Sequence, residues 1–387
     1  MQTLFNHPFL GRGFRPFFIM GALYSVLSLA LWGSFYAGYL IPPLFLLDPI
    51  AWHAHEMLYG YTMAIVAGFL LTAVANWTGG APARQMHLAG LCLLWILGRI
   101  VMNIDLGLSS PIIYIIASLF IPALAVSLAI PLMKSWNKRN FIFLTLLSVL
   151  FTCDLWFLIS KSMTALYVAL MMIMVMISLI GGRIIPAFTV AGLRRRDIHA
   201  FQTPQLKMDI SALVSLVAVT ICLIFFKGTF LLTICAAASS IIHVVRMRYY
   251  HTFKTLSDPM LWILHVGYLW LVLGLFLLAL TGLEIIKIPV VIHALTTGCI
   301  GSMTLGMMCR VSLGHTGRPL IASKTTIIAF VLMQIAALMR VFGPLLAPHL
   351  SSNIYIGSAS LWSTCFFLFI LVYSPILWQP RPDGRPA

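Results

Sequence analysis

Twelve long apolar runs constrain this chain more than any other feature of its sequence. Each is long enough to cross a hydrocarbon core of about 30 Å as an α-helix. The runs cover residues 14–40, 52–76, 85–102, 111–133, 140–159, 163–185, 206–226, 228–246, 259–281, 288–310, 325–346 and 353–377. Because they are continuous and do not alternate in hydropathy, a transmembrane β-barrel is excluded. The sequence therefore predicts an all-α polytopic membrane protein with about 12 transmembrane helices.

The basic residues predict how the chain is oriented. The formal net charge is +15, and eighteen Lys and Arg residues near span ends fall on the side that carries both termini. The opposite side has four, namely Lys161, Lys227, Lys287 and Arg340. The positive-inside rule then places both termini in the cytoplasm. Topology and attraction to anionic headgroups of the lipid bilayer account for the positive charge, so we expect no nucleic-acid partner.

Short connections favour one transmembrane helical-bundle domain over residues 1–387. The tightest connection, at residues 226–229, must form a helical hairpin around Lys227 and Gly228. The longest, at about 186–205, divides the runs six plus six, which suits a transporter. The first run is too long for a cleavable signal core, so we expect it to stay as an anchor. Seven scattered cysteines without a C-x-x-C pair support neither a disulfide framework nor a thiolate metal site.

Ionisable side chains at the start of two apolar runs are the strongest functional signal. His53, His55 and Glu56 begin the second run, and His293 lies near the start of the tenth. In a bilayer such groups need a partner, water or a metal. Helical rise places all four within roughly 8 Å of the outer face. Because imidazole is a common ligand of iron, copper and zinc, the matched depth predicts a metal site. The alternative is that these histidines contact interfacial water and headgroups.

The spacing of His53, His55 and Glu56 limits which of them can reach the same metal ion. His53 and Glu56 lie on one helix face, whereas His53 and His55 are about 200° apart on a regular helix. Both histidines reach one metal only if the first turn is frayed; otherwise they serve two sites, or one supports the other. Glu56 is the candidate catalytic residue, through proton supply or ligand orientation. Asp154 is the other acid clearly inside a run, as a carrier carboxylate or a structural one.

A second set of residues lies toward the cytoplasmic side. His265 is about two turns into the ninth run, and His315 follows the tenth. We expect these two histidines to form a separate site, more than ~15 Å from His293. The alternative is that His265 hydrogen-bonds a neighbouring helix and His315 caps the tenth run. Three arginines near span ends are candidates to pair with an anionic cofactor group such as a haem propionate, or else reach headgroups: Arg183, Arg310 and Arg318.

Six segments together resemble the NnrS family over most of the chain. They are Phe14-Arg-Pro-Phe-Phe18; Trp52-His-Ala-His-Glu-Met57; Gly68-Phe-Leu-Leu-Thr-Ala73 with Asn76-Trp-Thr-Gly79; Gly182-Arg-Ile-Ile-Pro186; Leu261-Trp-Ile-Leu-His265; and His293-Ala-Leu-Thr-Thr-Gly298 running into Leu313-Gly-His-Thr-Gly-Arg318. The resemblance implies a multi-pass protein of the bacterial inner (cytoplasmic) membrane, with haem and copper, that takes part in nitric oxide metabolism and resistance to nitrosative stress. It marks the candidate histidines and Glu56 as motif positions without assigning ligands.

The resemblance implies a membrane protein that handles nitric oxide at haem b and copper, and the metal chemistry predicted from the residues is compatible with it. Metal-centred binding or reduction of nitric oxide fits, and a nitric oxide reductase-like oxidoreductase is one form of it. The electron donor is then a quinol or another membrane donor. A twelve-span transporter and a metal or haem assembly factor remain the alternatives.

Overall fold

A computed structural model gives the fold and describes residues 7–39 and 45–384. Helices make up 80% of the chain, and the described residues contain no strand. Twelve helices in this part are long and apolar enough to cross a membrane, which confirms the predicted class. They are α1 (Phe14–Tyr36), α2 (Pro49–Thr78), α3 (Gln85–Asn103), α4 (Ser110–Lys134), α5 (Lys138–Ser160), α6 (Met163–Arg194), α7 (Leu206–Phe225), α8 (Phe230–Met247), α9 (Pro259–Thr281), α10 (Ile288–His315), α11 (Lys324–Leu346) and α12 (Pro348–Trp378). The cytoplasmic placement of both termini stays a prediction.

Local sequence signals explain where several helices begin and turn. The Asp48 carboxylate accepts the backbone N–H groups of Ile50 and Ala51 at the start of α2. Asp258 caps α9 and Ser323 caps α11 in the same way. The predicted hairpin between α7 and α8 is present, and Gly228 has a φ of +77° there. Glycine adopts this left-handed conformation without steric cost, so the short connection is possible.

Some helices extend beyond the apolar runs that predict them. The helix cap at Asp48 and Pro49 starts α2 before the predicted residue 52. His55 therefore lies roughly 9 Å along this helix, slightly deeper than expected. The helices α6 and α10 continue to Arg194 and His315, beyond the predicted ends at residues 185 and 310. The predicted end of the first run, residue 40, lies outside the described residues.

The helices group into two compact units, which we describe separately. The first contains Met1–Ala169, Met308–Leu320 and Phe366–Ala387, within the limits of the described residues. The second contains Leu170–Met307 and Ile321–Cys365. The first unit thus holds α1 to α5 and the second holds α7, α8, α9 and α11. A single domain over residues 1–387 stays a prediction.

Two of the spanning helices contain a seven-residue π-helical turn. One is Glu56–Thr62 in α2, and the other is Ala294–Ile300 in α10. Each begins directly after a candidate histidine, His55 or His293, and each has a glycine at its fifth position, Gly60 or Gly298. Because π-helical turns are rare and occur frequently at functional sites, these two turns direct attention to the residues around them.

Candidate functional site

Gly60 allows α1 to pack closely against the π turn of α2. A Cβ atom at this position would lie 2.5 Å from Cε1 of Tyr24. The approach brings the Tyr24 hydroxyl to Oε2 of Glu56, to which it donates a hydrogen bond. On another side of the turn, the indole N–H of Trp95 donates to the Gly60 carbonyl at 3.0 Å. The turn therefore places Glu56 among side chains from α1 and α3.

His55 is fully buried between two carboxylates. Its Nδ1 lies 2.8 Å from Oε1 of Glu56, and its Nε2 lies 2.9 Å from Oδ1 of Asp154 on α5. An ionised carboxylate only accepts hydrogen bonds, whereas a neutral imidazole has a single N–H. The arrangement therefore requires an imidazolium, or a proton on one of the two carboxyl groups. In either case neither ring nitrogen of His55 is left with a lone pair directed at a metal.

Glu56 also forms an ion pair with a buried arginine. Nη1 of Arg99, on α3, lies 2.5 Å from Oε1 of Glu56. The amide of Asn103 donates to Oε2 at 3.2 Å, and its carbonyl oxygen accepts the indole N–H of Trp52 at 3.0 Å. We call Asp154, His55, Glu56 and Arg99 the α2 charge cluster. With His55 protonated, its two negative and two positive charges balance, which makes burial in an apolar bundle tolerable.

The histidine before the second π turn has a different environment. His293 is half-buried, and its Nδ1 lies 2.7 Å from the carbonyl oxygen of Pro289, one turn earlier. A carbonyl only accepts, so Nδ1 carries a proton, and in the neutral form of the ring Nε2 carries the lone pair. This tautomer, held by a backbone carbonyl, is the usual arrangement of a metal-ligating histidine.

Gly298 has the same packing role in α10 that Gly60 has in α2. A Cβ atom at Gly298 would lie 2.4 Å from Cδ2 of Trp270 on α9. The indole N–H of Trp270 donates to Oε1 of Gln334 at 2.9 Å, and the amide of Gln334 donates to Ser302 at 2.9 Å. Gly298 therefore leaves room for the Trp270 ring against this turn, and Ser302 accepts a hydrogen bond from the Gln334 amide that holds this ring.

His53 stacks on an indole ring, and His265 contacts two hydroxyl groups. The His53 ring stacks on the Trp32 indole, with ring centroids 4.3 Å apart and an interplanar angle of 6°. His265 is buried in α9, with Nε2 at 2.8 Å from the Thr189 hydroxyl and Nδ1 at 3.0 Å from the Thr252 hydroxyl. Hydroxyl groups both donate and accept, so a neutral His265 satisfies both contacts.

The residues predicted as an inner site belong to different units. His265 and the half-buried Arg183 lie in the second unit, whereas His315, Arg310 and Arg318 lie in the first. Nδ1 of His315 lies 3.3 Å from Nη1 of Arg12. The inner metal site and the propionate role of the three arginines stay predictions.

Sequence reasoning missed a buried arginine in the second unit, Arg246. Its guanidinium group bonds Asp209 at 2.7 Å and Tyr268 at 2.8 Å. A Cβ atom at Gly182 would lie only 1.8 Å from Nη2 of Arg246, so this glycine makes room for the arginine. His243, whose Nδ1 lies 2.8 Å from the Tyr268 hydroxyl, completes the group. The sequence did contain a signal for this group, because Gly182 belongs to one of the motifs and Arg246 ends an apolar run.

The described residues bring together no group of three or more His, Cys, Asp or Glu side chains that could hold a metal ion. The α2 charge cluster, with its two carboxylates and one imidazole, is closed by mutual hydrogen bonds and by Arg99. What this arrangement does chemically is hold a proton between two acids, away from water.

The comparison with known proteins identifies the family. No curated protein matches the chain. The sequence model of the family described as NnrS protein matches residues 8–381, nearly the whole chain, which confirms the resemblance. Membership supports a role in the response to nitric oxide for this multi-pass membrane protein. The chain belongs to the NnrS family.

Proposed function

We propose that this protein binds and reduces nitric oxide at a haem held by His293, and that the α2 charge cluster handles the protons of the reaction. One observation carries the proposal. The two π turns present two histidines in opposite states, one hydrogen-bonded to carboxylates through both nitrogens and the other with its Nε2 lone pair set by Pro289. The first suits proton transfer and the second suits ligation.

The residues fit a haem with a single protein ligand better than the other predicted centres. Of the five candidate histidines, His293 has the tautomer and the carbonyl partner expected of an axial ligand. Haem held by His293 would supply a redox-active iron for the binding and reduction of nitric oxide. Copper is different, because the described residues form no group of three ligands, so no step is assigned to it.

Reduction of nitric oxide consumes protons as well as electrons. Two NO and one quinol give N₂O, water and quinone, so two protons and two electrons pass from the donor to the nitrogen oxides. A quinol, or another membrane donor of the same electrons, is the proposed partner. Nitric oxide is small and neutral, so it enters from the bilayer without a polar channel, but a proton does not. A buried group that takes up and releases a proton is therefore required.

Glu56 is the residue that we assign to proton transfer in the α2 charge cluster. It accepts hydrogen bonds from His55, Tyr24 and Arg99. Glu56 accepts the proton that His55 supplies and passes it on, while Arg99 holds the carboxylate in position. Asp154 holds the other end of the imidazole at 2.9 Å and fixes its orientation. Loss of either carboxylate leaves the ring without one of its partners and should slow proton transfer.

Two variants test the two parts of the proposal separately. His293→Ala should lose most of its haem, seen as loss of the Soret band, because it removes the ligand. His349→Ala, an exposed histidine near the start of α12, is the matched control and should keep it. Glu56→Gln should bind haem normally but consume nitric oxide more slowly by about 10²-fold or more, the usual contribution of a general acid or base.

Each part has a result that would exclude it. A folded wild-type protein that is colourless after expression with adequate haem would exclude the haem site and favour a transporter or assembly factor. If His293→Ala retains wild-type haem, another residue is the ligand. If Glu56→Gln consumes nitric oxide at the wild-type rate and with the same pH profile, the α2 charge cluster is structural.

A further inference from the structure

The ends of three helices in the first unit carry a group of four arginines. Arg12 and Arg15 lie at the start of α1, Arg318 follows the end of α10, and Arg381 follows the end of α12. We call these four residues the arginine cluster. Two of them belong to the motifs Phe14-Arg-Pro-Phe-Phe18 and Leu313-Gly-His-Thr-Gly-Arg318, which the proposed function does not use.

Arg15 is fully buried but only partly hydrogen-bonded. Its Nη1 donates to the carbonyl oxygens of Leu377 at 2.8 Å and Gln379 at 2.7 Å. Its Nε and Nη2 are also buried, and no acceptor for them occurs within residues 7–39 and 45–384. A buried guanidinium group with unused N–H groups is energetically costly, so an acceptor from outside the chain would relieve it.

The surroundings of Arg15 are strongly positive. The charges of Arg318, Arg12 and Arg381 all act on it. Among the described residues, the carboxylate that bonds a member of the arginine cluster is that of Asp383, which pairs with Arg381 at 2.5 Å. Burial first, and then the charge of Arg381, lower the pKa of Arg12. Among the described residues, the four guanidinium groups of the cluster thus have one bonded carboxylate, and the excess positive charge favours binding of an anion.

His315 adds a further donor to the same place. A guanidinium group only donates, so Nδ1 of His315 accepts from Arg12 at 3.3 Å. The ring proton of a neutral His315 must then be on Nε2. Through its contact with Arg12, His315 thus lies beside the arginine cluster and carries a further N–H donor.

Capping of helix ends explains only part of this arrangement. Arg15 bonds carbonyls at the end of α12, and Arg381 bonds the His315 carbonyl at the end of α10 at 2.9 Å. Such contacts satisfy the final carbonyl groups of a helix. They use one nitrogen of each guanidinium group, however, and they do not neutralise its charge. The positive start of α1, where Gly13 offers no side-chain cap, adds to the excess.

We propose that the arginine cluster binds a phosphate-type oxyanion, with Arg15 and Arg12 as the main donors. Phosphate offers several oxygens in the geometry that guanidinium groups recognise. The site lies where three spans end, which is the level of lipid headgroups, so an anionic phospholipid is one source and free phosphate is the other. The proposal is independent of the haem proposed at His293.

Binding is measured on the full-length protein by thermal unfolding. In phospholipid-free detergent, inorganic phosphate should raise the unfolding temperature of the wild type relative to chloride at equal ionic strength. In nanodiscs, phosphatidylglycerol should raise it relative to phosphatidylcholine. A response to both probes, or to one of them, supports the site and identifies the source. Arg15→Gln should weaken the response at least about tenfold, as expected when charge-assisted hydrogen bonds are lost.

Three further variants make the test decisive. Arg139→Gln, an exposed arginine at the start of α5, is the matched control and should respond as the wild type does. If Arg15→Gln fails to fold, Arg318→Gln decides whether the arginine cluster binds the anion, since the Arg318 side chain makes only a long hydrogen bond, to the Thr316 carbonyl at 3.4 Å, among the described residues. His293→Ala should keep the full response, which separates this site from the haem. No response to either probe, or equal responses in the Arg15, Arg318 and wild-type proteins, would overturn the proposal.

Discussion

The two π turns share their backbone but differ in the side chains that surround them. Both begin after a histidine, and both have a glycine at the fifth position that admits an aromatic ring from the preceding helix in the same unit, Tyr24 or Trp270. Beside Glu56–Thr62, the His55 ring contacts two carboxyl groups. Beside Ala294–Ile300, the His293 ring contacts a backbone carbonyl, and the Trp270 indole donates to the Gln334 amide oxygen. The same local fold therefore holds one imidazole between two acids and another against a backbone carbonyl.

The partners of each histidine, and not its position in a helix, therefore indicate its role. The two histidines have similar positions in the sequence, each near the outer start of an apolar run. The acid at position 56 is replaced by Ala294 in the second turn. The two rings therefore differ in both partners, because His55 also contacts Asp154 on a neighbouring helix.

Loss of Arg99 should have the largest effect on stability. Arg99→Met leaves Glu56 fully buried without its positive partner, and removal of one member of a buried ion pair typically costs about 3–5 kcal/mol. Thermal or denaturant unfolding of the purified protein measures this. Arg84→Met, an exposed arginine at the start of α3, is the control and should be nearly neutral. An unchanged unfolding transition for Arg99→Met would show that the α2 charge cluster does not depend on this pair.

Loss of Arg246 should cost less, although this arginine is also buried. Its carboxylate partner Asp209 has 40% of its side chain exposed, so water can solvate the charge that Arg246→Met leaves behind. The remaining cost comes from the hydrogen bonds to Ser178 and Tyr268, and we expect about 2 kcal/mol. The same unfolding measurement applies. If Arg246→Met loses as much stability as Arg99→Met, burial of the partner carboxylate does not determine the cost of losing the arginine.

Both π-turn glycines should be intolerant of a side chain. Gly60→Ala and Gly298→Ala place a methyl group 2.5 Å from Tyr24 and 2.4 Å from Trp270, respectively. Overpacking of this kind costs about 1–3 kcal/mol. Gly90→Ala, in α3, meets no atom within 4 Å and should be neutral or slightly stabilising. In addition, Gly60→Ala should slow nitric oxide consumption with haem retained, and Gly298→Ala should lower haem content. Identical effects of the two variants on both readouts would contradict separate roles.

Much of the fold could be predicted from the sequence, but the partners in the site could not. Continuous apolar runs give the spans directly, and Gly228 gives the tight hairpin between α7 and α8. Glu56 and Asp154 stood out because acids are scarce in these runs. Their contacts with His55 depend on how helices rotate against one another, which periodicity does not specify in helices that are apolar on every face. Neither π turn has a hydropathy signal, so both were unforeseen.

The hydroxyl of Thr62 should have the smallest effect among these changes. It donates to the carbonyl of Met57 at 2.8 Å, five residues earlier, and so could hold the π turn of α2 open. The corresponding position in α10 is Ile300, which has no hydroxyl, and that turn is nevertheless π-helical. Backbone packing around the glycine is therefore sufficient for the conformation. We expect Thr62→Val to cost no more than about 1 kcal/mol, the net value of one hydrogen bond, and to leave nitric oxide consumption unchanged. A large loss of stability together with slower consumption would mean that the two turns form for different reasons, and the correspondence between His55 and His293 would then be coincidental.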